Sequence, residues 1–255
     1  MTRDAGPPAE VPPELLEEYL QGMRTQLGGI AGIADRLAAD AGDAEALAEL
    51  RRETHKIHGS AGSYGFWSAS RLAAGMEATA KDWVDWPHDR DVDRGSLTRW
   101  FAARLAEIMK LDVPITPHPH RPGGPALPAE GVPEVIIVEG DPALAELLEY
   151  GLKSRGYRFA SYATGREALT RLLALDTGEE RPLLLLDVNP PEGDGYAIFE
   201  SLQRERPGAY RVVFTTVRGE KGGQPRELEA VALDYLVKPI SLRVALERIR
   251  RWVGR

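Results

Sequence analysis

Apolar residues recur at two different periods along this chain, with a break between residues 113 and 133. Before the break the spacing is helical. Leu15, Leu16, Tyr19, Leu20, Met23 and Leu27 fall three and four apart, as on one face of a helix, and Pro12-Pro13 suits its first turn. Asp43 is placed to N-cap a second helix through Leu47, Leu50, Thr54 and Ile57. A third runs from Phe66 to about Trp83, with Leu72 and Met76 on one face, and Pro87 closes that region. The fourth runs from about Asp93 to Leu111 through Leu97, Phe101, Leu105 and Ile108; Asp91 and Asp93 at its start and Lys110 at its end suit the helix dipole. No strand-like alternation competes. Residues 1–113 therefore predict an all-α, antiparallel four-helix bundle, with Trp83, Trp86 and Trp100 as core or rim aromatics.

After the break the pattern alternates between strands and helices. Val135 to Val138 is a short β-branched run, followed by a helical segment from Pro142 to Arg155. Tyr157 to Tyr162 is a weaker strand, and Thr164-Gly165-Arg166-Glu167 is a capping box opening a helix to about Leu175. Leu183 to Leu186 is a fully apolar strand. A helix from about Gly195 to Arg206, a strand from Arg211 to Thr216, a short strand Tyr235-Leu236-Val237 and a last helix capped by Ser241 complete the series. This order predicts an α/β, doubly wound, five-stranded parallel sheet over residues 133–255. Residues 114–132 between the two halves are dense in proline and glycine and predict a linker. His118 and His120 within it are expected to be exposed polar residues.

Composition narrows the options. The 255 residues are enough for two modest domains. A formal net charge of −7 argues against a general nucleic-acid binder, which is usually basic. Residues 1–113 carry 13 basic and 19 acidic side chains and residues 133–255 carry 18 and 19, so the acidity lies mostly on the helical half. The lack of cysteine excludes disulfides, thiol catalysis and cysteine-held metals. Met1 to Glu10 has no apolar signal core, and no run is long and apolar enough to span a bilayer. The expectation is a cytoplasmic protein with neither membrane nor nucleic-acid partners.

Two places hold candidate chemistry. In the second helix His55 is followed one turn later by Gly59. Residues i and i+4 share a helix face, so the glycine leaves open space beside the imidazole. A glycine inside a helix costs about 1 kcal/mol relative to alanine, and access of something large to the ring is one reason to bear it. A surface histidine beside a helix-packing glycine fits the local string as well. In the sheet half, the strand ends collect Glu139, Gly140 and Asp141, then Asp187, Thr216 and Lys238-Pro239. Ligand chemistry in such sheets sits at the carboxyl ends of the strands. Carboxylates suit a hard divalent cation, a lysine offsets phosphoryl charge and a threonine donates a hydrogen bond; one carboxylate could instead be a nucleophile. Each residue also has a plainer role: Asp141 as an N-cap, Thr216 as a backbone partner, Lys238 as a surface lysine.

At these residues the chain resembles two known families. Residues 133–255 resemble the receiver domain of two-component response regulators. The likeness rests on Leu183-Leu184-Leu185-Leu186-Asp187-Val188-Asn189-Pro190-Pro191-Glu192-Gly193-Asp194-Gly195 together with Thr216, Tyr235 and Lys238-Pro239. It implies a flavodoxin-like fold, Asp187 as the phosphorylated aspartate, and Mg²⁺ held by Glu139, Asp187 and the Asn189 backbone carbonyl, with Asp141 a further candidate ligand. It also implies Thr216 as switch hydroxyl, Lys238 as phosphate contact, Tyr235 as switch aromatic and a cis Lys238–Pro239 peptide. Residues 1–113 are similar to the histidine phosphotransfer (HPt) domain at His55, Gly59, Ser60, Ala61 and Gly65. That likeness implies His55 as the phosphohistidine, with His58 and Gly59 beside its phosphoryl group. Together they imply a phosphorelay protein carrying phosphoryl groups on His55 and Asp187. Its partners would be a sensor or hybrid histidine kinase and receiver domains of other proteins. No GxxxxGK[ST] nucleotide loop is present, and no output segment is expected after Arg255, so signalling is expected to act through protein contacts.

The sequence departs from both families at three places. Gly140 stands where the receiver's second acid belongs, which predicts weaker Mg²⁺ binding and slower phosphorylation of Asp187. The glycine-rich stretch from Arg218 to Pro225 predicts a short or mobile helix in the face receivers use for signalling. His58 stands where HPt domains usually have a lysine; a neutral imidazole supplies less positive charge, and a protonated one makes transfer pH-sensitive. The alternative function is therefore an HPt protein fused to a degenerate, phosphorylation-independent receiver acting as an interaction module. A metal site on His55 and His58 lacks a third ligand, and a metal-dependent hydrolase using Glu139, Asp141 and Asp187 lacks a general base.

Overall fold

The computed structural model describes residues 11–88, 92–115, 131–217 and 233–254. These residues form two compact units, one helical and one built on a sheet. Asp91, His118, His120 and residues 218–225 lie outside the described residues.

In the helical unit α1 spans Pro13–Ala39, α2 Ala44–Ala61, α3 Trp67–Asp85 and α4 Arg94–Met109. Helix α1 packs mainly on α4, and α2 on α3. Local chemistry starts two of them as expected: Asp43 accepts from the Ala46 amide at 2.9 Å and Asp93 from the Ser96 amide at 2.8 Å. Helix α1 continues well past Leu27, through Gly28, Gly29 and Gly32. Ile30, Ile33 and Leu37 extend its buried stripe, and that tertiary burial outweighs the glycines' poor helix propensity. Arg94 is buried at the end of the bundle. Its guanidinium donates to the carbonyls of Ala41 at 2.7 Å and Trp86 at 3.1 Å and lies over the ring of Trp83. Trp83 and Trp100 are in the core, while Trp86 is exposed at the rim.

In the sheet unit the order is β1 Val135–Val138, α5 Pro142–Ser154, β2 Phe159–Tyr162, α6 Gly165–Ala174, β3 Leu183–Asp187, α7 Gly195–Glu205, β4 Arg211–Val217, β5 Asp234–Lys238 and α8 Leu242–Val253. The strands are all parallel and ordered β2-β1-β3-β4-β5, the flavodoxin-like arrangement. Strands β1 and β3 are buried along their whole length, as helices on both faces require. One face is filled by Ile136, Val138, Leu184, Leu186 and Phe214 with Ile198, Phe199 and Leu202 of α7. Register pairs Val138 with Leu186, Asp187 with Thr215 and Val217 with Lys238. The carboxyl ends of β1, β3, β4 and β5 therefore lie along one edge. The order in which strands are added reverses between β1 and β3, so the loops that follow these two strands leave a crevice there.

Candidate functional sites

The first site lies on the exposed face of α2. The side chain of His55 is 73 % exposed, and its Nδ1 lies 2.8 Å from Oε1 of Glu77 on α3. His58, one turn further on, places its own Nδ1 2.8 Å from the other oxygen, Oε2, of the same carboxylate. Burial acts to raise the pKa of Glu77, but hydrogen bonds from His58 and His55 outweigh it and hold the carboxyl below its ordinary range. An ionised carboxylate only accepts hydrogen bonds, so each Nδ1 must carry the proton. In the neutral ring the lone pair then sits on Nε2, and Nε2 of His55 has no protein partner among the described residues. A side chain at Gly59 would meet nothing within 4 Å, so the space beside the ring is open.

The rest of the HPt-like string shapes the helix end. Ala61 is buried, and Gly65 ends the following turn at φ 85°, a left-handed conformation that favours glycine. Ser60 donates to the Lys56 carbonyl at 2.8 Å and lies 3.3 Å from the hydroxyl of Tyr19, whose ring stacks on Tyr64. Ser70 of α3 donates to the carbonyl of His58 at 2.8 Å, fixing the two helices side by side at the histidines.

The second site lies in the crevice of the sheet. Lys238 Nζ is 2.9 Å from Asp187 Oδ2 and donates to Glu139 Oε1 at 3.0 Å. Asp187 Oδ1 accepts from the Asn189 amide at 3.2 Å, which turns the loop after β3 back over its strand. The side chains of Asp187 and Glu139 are 12 % and 2 % exposed. Burial pushes Glu139 up to about 7; Lys238 opposes that rise and Asp187 adds to it. Burial alone would lower Lys238, but the two carboxylates outweigh it and raise its pKa. Thr216 is buried on β4, one residue beyond the register partner of Asp187. Tyr235 is half-buried, with its ring against Phe214. The Lys238–Pro239 peptide is cis.

The residues that the receiver resemblance assigns to the metal are engaged with Lys238 and with backbone amides. Asp141 does not join Glu139 and Asp187. Its Oδ1 accepts from the Ala143 amide at 3.0 Å as the N-cap of α5, and its own amide donates to Glu139 Oε1. Among the described residues, no three Asp, Glu, His or Cys side chains gather where they could hold a metal ion. At Gly140 a side chain would start inside the ring of Pro191, overlapping its Cδ and Cγ. The place beside β1 where a second acid would stand is thus filled by the loop after β3. That loop is pinned: the Pro191 carbonyl accepts from the Gly165 amide at 2.8 Å, and the Val188 amide donates to the Thr215 carbonyl at 3.0 Å.

The functional residue that sequence reasoning missed is Glu77. It lies 22 positions beyond His55 and looks like any solvated helix acid. Its only signal is indirect: it follows Met76 of the buried stripe on α3, which puts it at the edge of the α2–α3 seam.

Comparisons with known proteins agree with both halves. Residues 14–108 match the Hpt domain family, and residues 135–250 match the response regulator receiver domain family. The phosphate regulon transcriptional regulatory protein PhoB of Rhizobium meliloti is 34% identical over 128 residues, covering 49% of this chain and 53% of that protein. The transcriptional regulatory protein AfsQ1 of Streptomyces coelicolor is 33% identical over 120 residues, covering 47% and 50%. The chain thus spans about half the length of these curated relatives. Among solved structures, the receiver domain of a Pseudomonas aeruginosa sensor histidine kinase, with magnesium coordinated in its active-site cleft, is 27% identical over 48% of this chain and 98% of that one, with a TM-score of 0.40. No helix among the described residues is long and apolar enough to cross a membrane. The chain thus carries an Hpt domain followed by a response regulator receiver domain.

Proposed function

We propose that the phosphoryl group is carried on Nε2 of His55. The observation that supports this most directly is the Glu77 hydrogen bond, which fixes the proton on Nδ1 of an exposed ring. In transfer, the Nε2 lone pair attacks the phosphorus of an aspartyl phosphate on a partner receiver. The P–N bond forms as the P–O bond breaks and the donor carboxylate leaves. The Nδ1 proton stays in the hydrogen bond to Glu77, which offsets the positive charge that develops on the ring. Gly59 leaves room for the partner's approach, and His58 shares the orienting carboxylate. The partners are a sensor or hybrid histidine kinase and the receiver domains of other proteins, met in the cytoplasm. Incubation with a phosphorylated receiver or kinase is expected to place acid-labile phosphate on the chain. His55→Gln is expected to remove the share held by residues 1–113; labelling of that half unchanged by the substitution would reject the assignment.

Asp187 is the second acceptor in this reading, with Lys238 and Thr216 as its phosphoryl contacts and Tyr235 as the aromatic that follows its state. Glu139, Asp187 and the Asn189 carbonyl would hold Mg²⁺ weakly. The ring of Pro191 against Gly140 favours a second reading for this half, a docking module that works without phosphorylation. Labelling by a small-molecule phosphodonor separates the two. Robust incorporation that is lost in Asp187→Asn rejects the docking module, and negligible incorporation at saturating Mg²⁺ rejects the acceptor.

A further inference from the structure

We propose that Arg51 and Arg52 supply the positive charge beside the phosphoryl group of His55 that residue 58 does not provide. The inference rests on His55 as the carrier. A phosphoryl group brings between one and two negative charges at neutral pH, and here it would be added next to the ionised carboxylate of Glu77. The nearest cationic candidate on the C-terminal side is His58, whose Nδ1 is already held on Glu77 at 2.8 Å. The other side of the ring, towards the start of α2, is where further charge is at hand.

That side is occupied by arginine. Arg51 and Arg52 precede His55 by four and three positions, so all three share a face of α2. With Ala48 of the same helix and Glu77 and Val84 of α3, they line a groove of about 390 Å³. Neither guanidinium has a hydrogen bond or ion pair among the described residues. The neighbouring acids are already engaged: Glu49 accepts from Arg36 at 3.0 Å, and Glu53 accepts from Lys56 at 2.6 Å and Gln26 at 2.7 Å. Two uncommitted arginines are thus kept within one turn of the acceptor on a half of the chain where acids outnumber bases by 19 to 13. A guanidinium fork matches phosphoryl oxygens better than an imidazole does.

The test is phosphotransfer to full-length protein from a phosphorylated receiver at several salt concentrations. Arg51→Gln/Arg52→Gln is expected to slow transfer about tenfold, the loss of roughly one charge-assisted contact, and to flatten its salt dependence. Thermal melting is expected to stay unchanged, because both side chains are exposed. Arg51→Lys/Arg52→Lys should keep most of the rate. Adding His58→Lys to the double glutamine variant should restore it, a rescue that a purely structural role for the arginines does not predict. Wild-type rates in the glutamine variant, or no rescue by His58→Lys, overturns the inference. A His55→Gln control in the same assay keeps this outcome apart from the carrier assignment. If that control still labels, the carrier assignment fails, and if only the arginine variants behave as wild type, the inference alone fails.

Discussion

His55 and Asp187 are candidate phosphoryl acceptors built in opposite ways. His55 stands on one helix with its side chain 73 % exposed, served by one carboxylate from the adjacent helix. Asp187 sits at the meeting of several strand ends, 12 % exposed and tied to Lys238. At the imidazole a single hydrogen bond sets the tautomer, and the missing side chain at Gly59 leaves the approach clear. The aspartate must add charge inside a crevice that already holds Glu139, so its chemistry depends on every loop that contributes to that crevice. A side chain at Gly140 would collide with the ring of Pro191 in that crevice, whereas one at Gly59 would meet nothing within 4 Å.

The largest expected effect tests this comparison directly. His55→Gln should remove essentially all acid-labile phosphate from residues 1–113, while Asp187→Asn should remove only the share held on the sheet half. Phosphate mapping by mass spectrometry on both variants reads the two shares. A chain whose phosphate is held mostly on Asp187 would reverse the ranking of the two sites.

How much of this was legible in the sequence follows the same division. The His55–Gly59 spacing is local and lies within one helical turn, so the order of residues alone reveals it. The strand-end residues were equally legible, because a parallel α/β pattern dictates which ends of its strands converge. Asp43, Asp141 and Thr164 were legible as caps, and each accepts the expected backbone amide. Glu77 was not, because its role depends on the register between α2 and α3, which no local pattern encodes. The contact of Pro191 with Gly140 was hidden for the same reason: sequence showed a missing acid, not what fills its place. The burial of Arg94 was hidden too, because the carbonyls of Ala41 and Trp86 that it reaches and the Trp83 ring it lies over come from other parts of the chain.

Glu77 gives the next effect in size. Glu77→Ala should slow transfer to His55 about tenfold, as expected for losing a hydrogen bond to a charged group that sets a tautomer. The same residue predicts a pH dependence. Its folded-state pKa lies below the ordinary value of 4.5, so the folded state binds fewer protons there than the unfolded chain does. The histidine–carboxylate contacts therefore add stability above that value and lose it as pH falls through the lowered one. The melting difference between wild type and Glu77→Gln should shrink as pH falls below about 4.5. A difference that grows in acid would place the stabilising proton elsewhere.

One glycine-to-alanine change at each site acts on stability first, and the two effects should have opposite signs. At Gly140 a methyl group would overlap the ring of Pro191, and that ring is held by the Gly165–Pro191 hydrogen bond. Gly140→Ala should therefore destabilise the sheet half by about 1–3 kcal/mol, the usual range for overpacking. At Gly59 the same methyl would meet nothing within 4 Å, and alanine is the better helix former, so Gly59→Ala should stabilise the bundle by up to about 1 kcal/mol. A stabilising alanine beside the acceptor is also the clearest probe of access. If Gly59 serves approach to His55, the more stable variant should transfer more slowly, with the loss falling on KM rather than on the maximal rate. If the more stable variant transfers as fast as wild type, Gly59 is not needed for that approach.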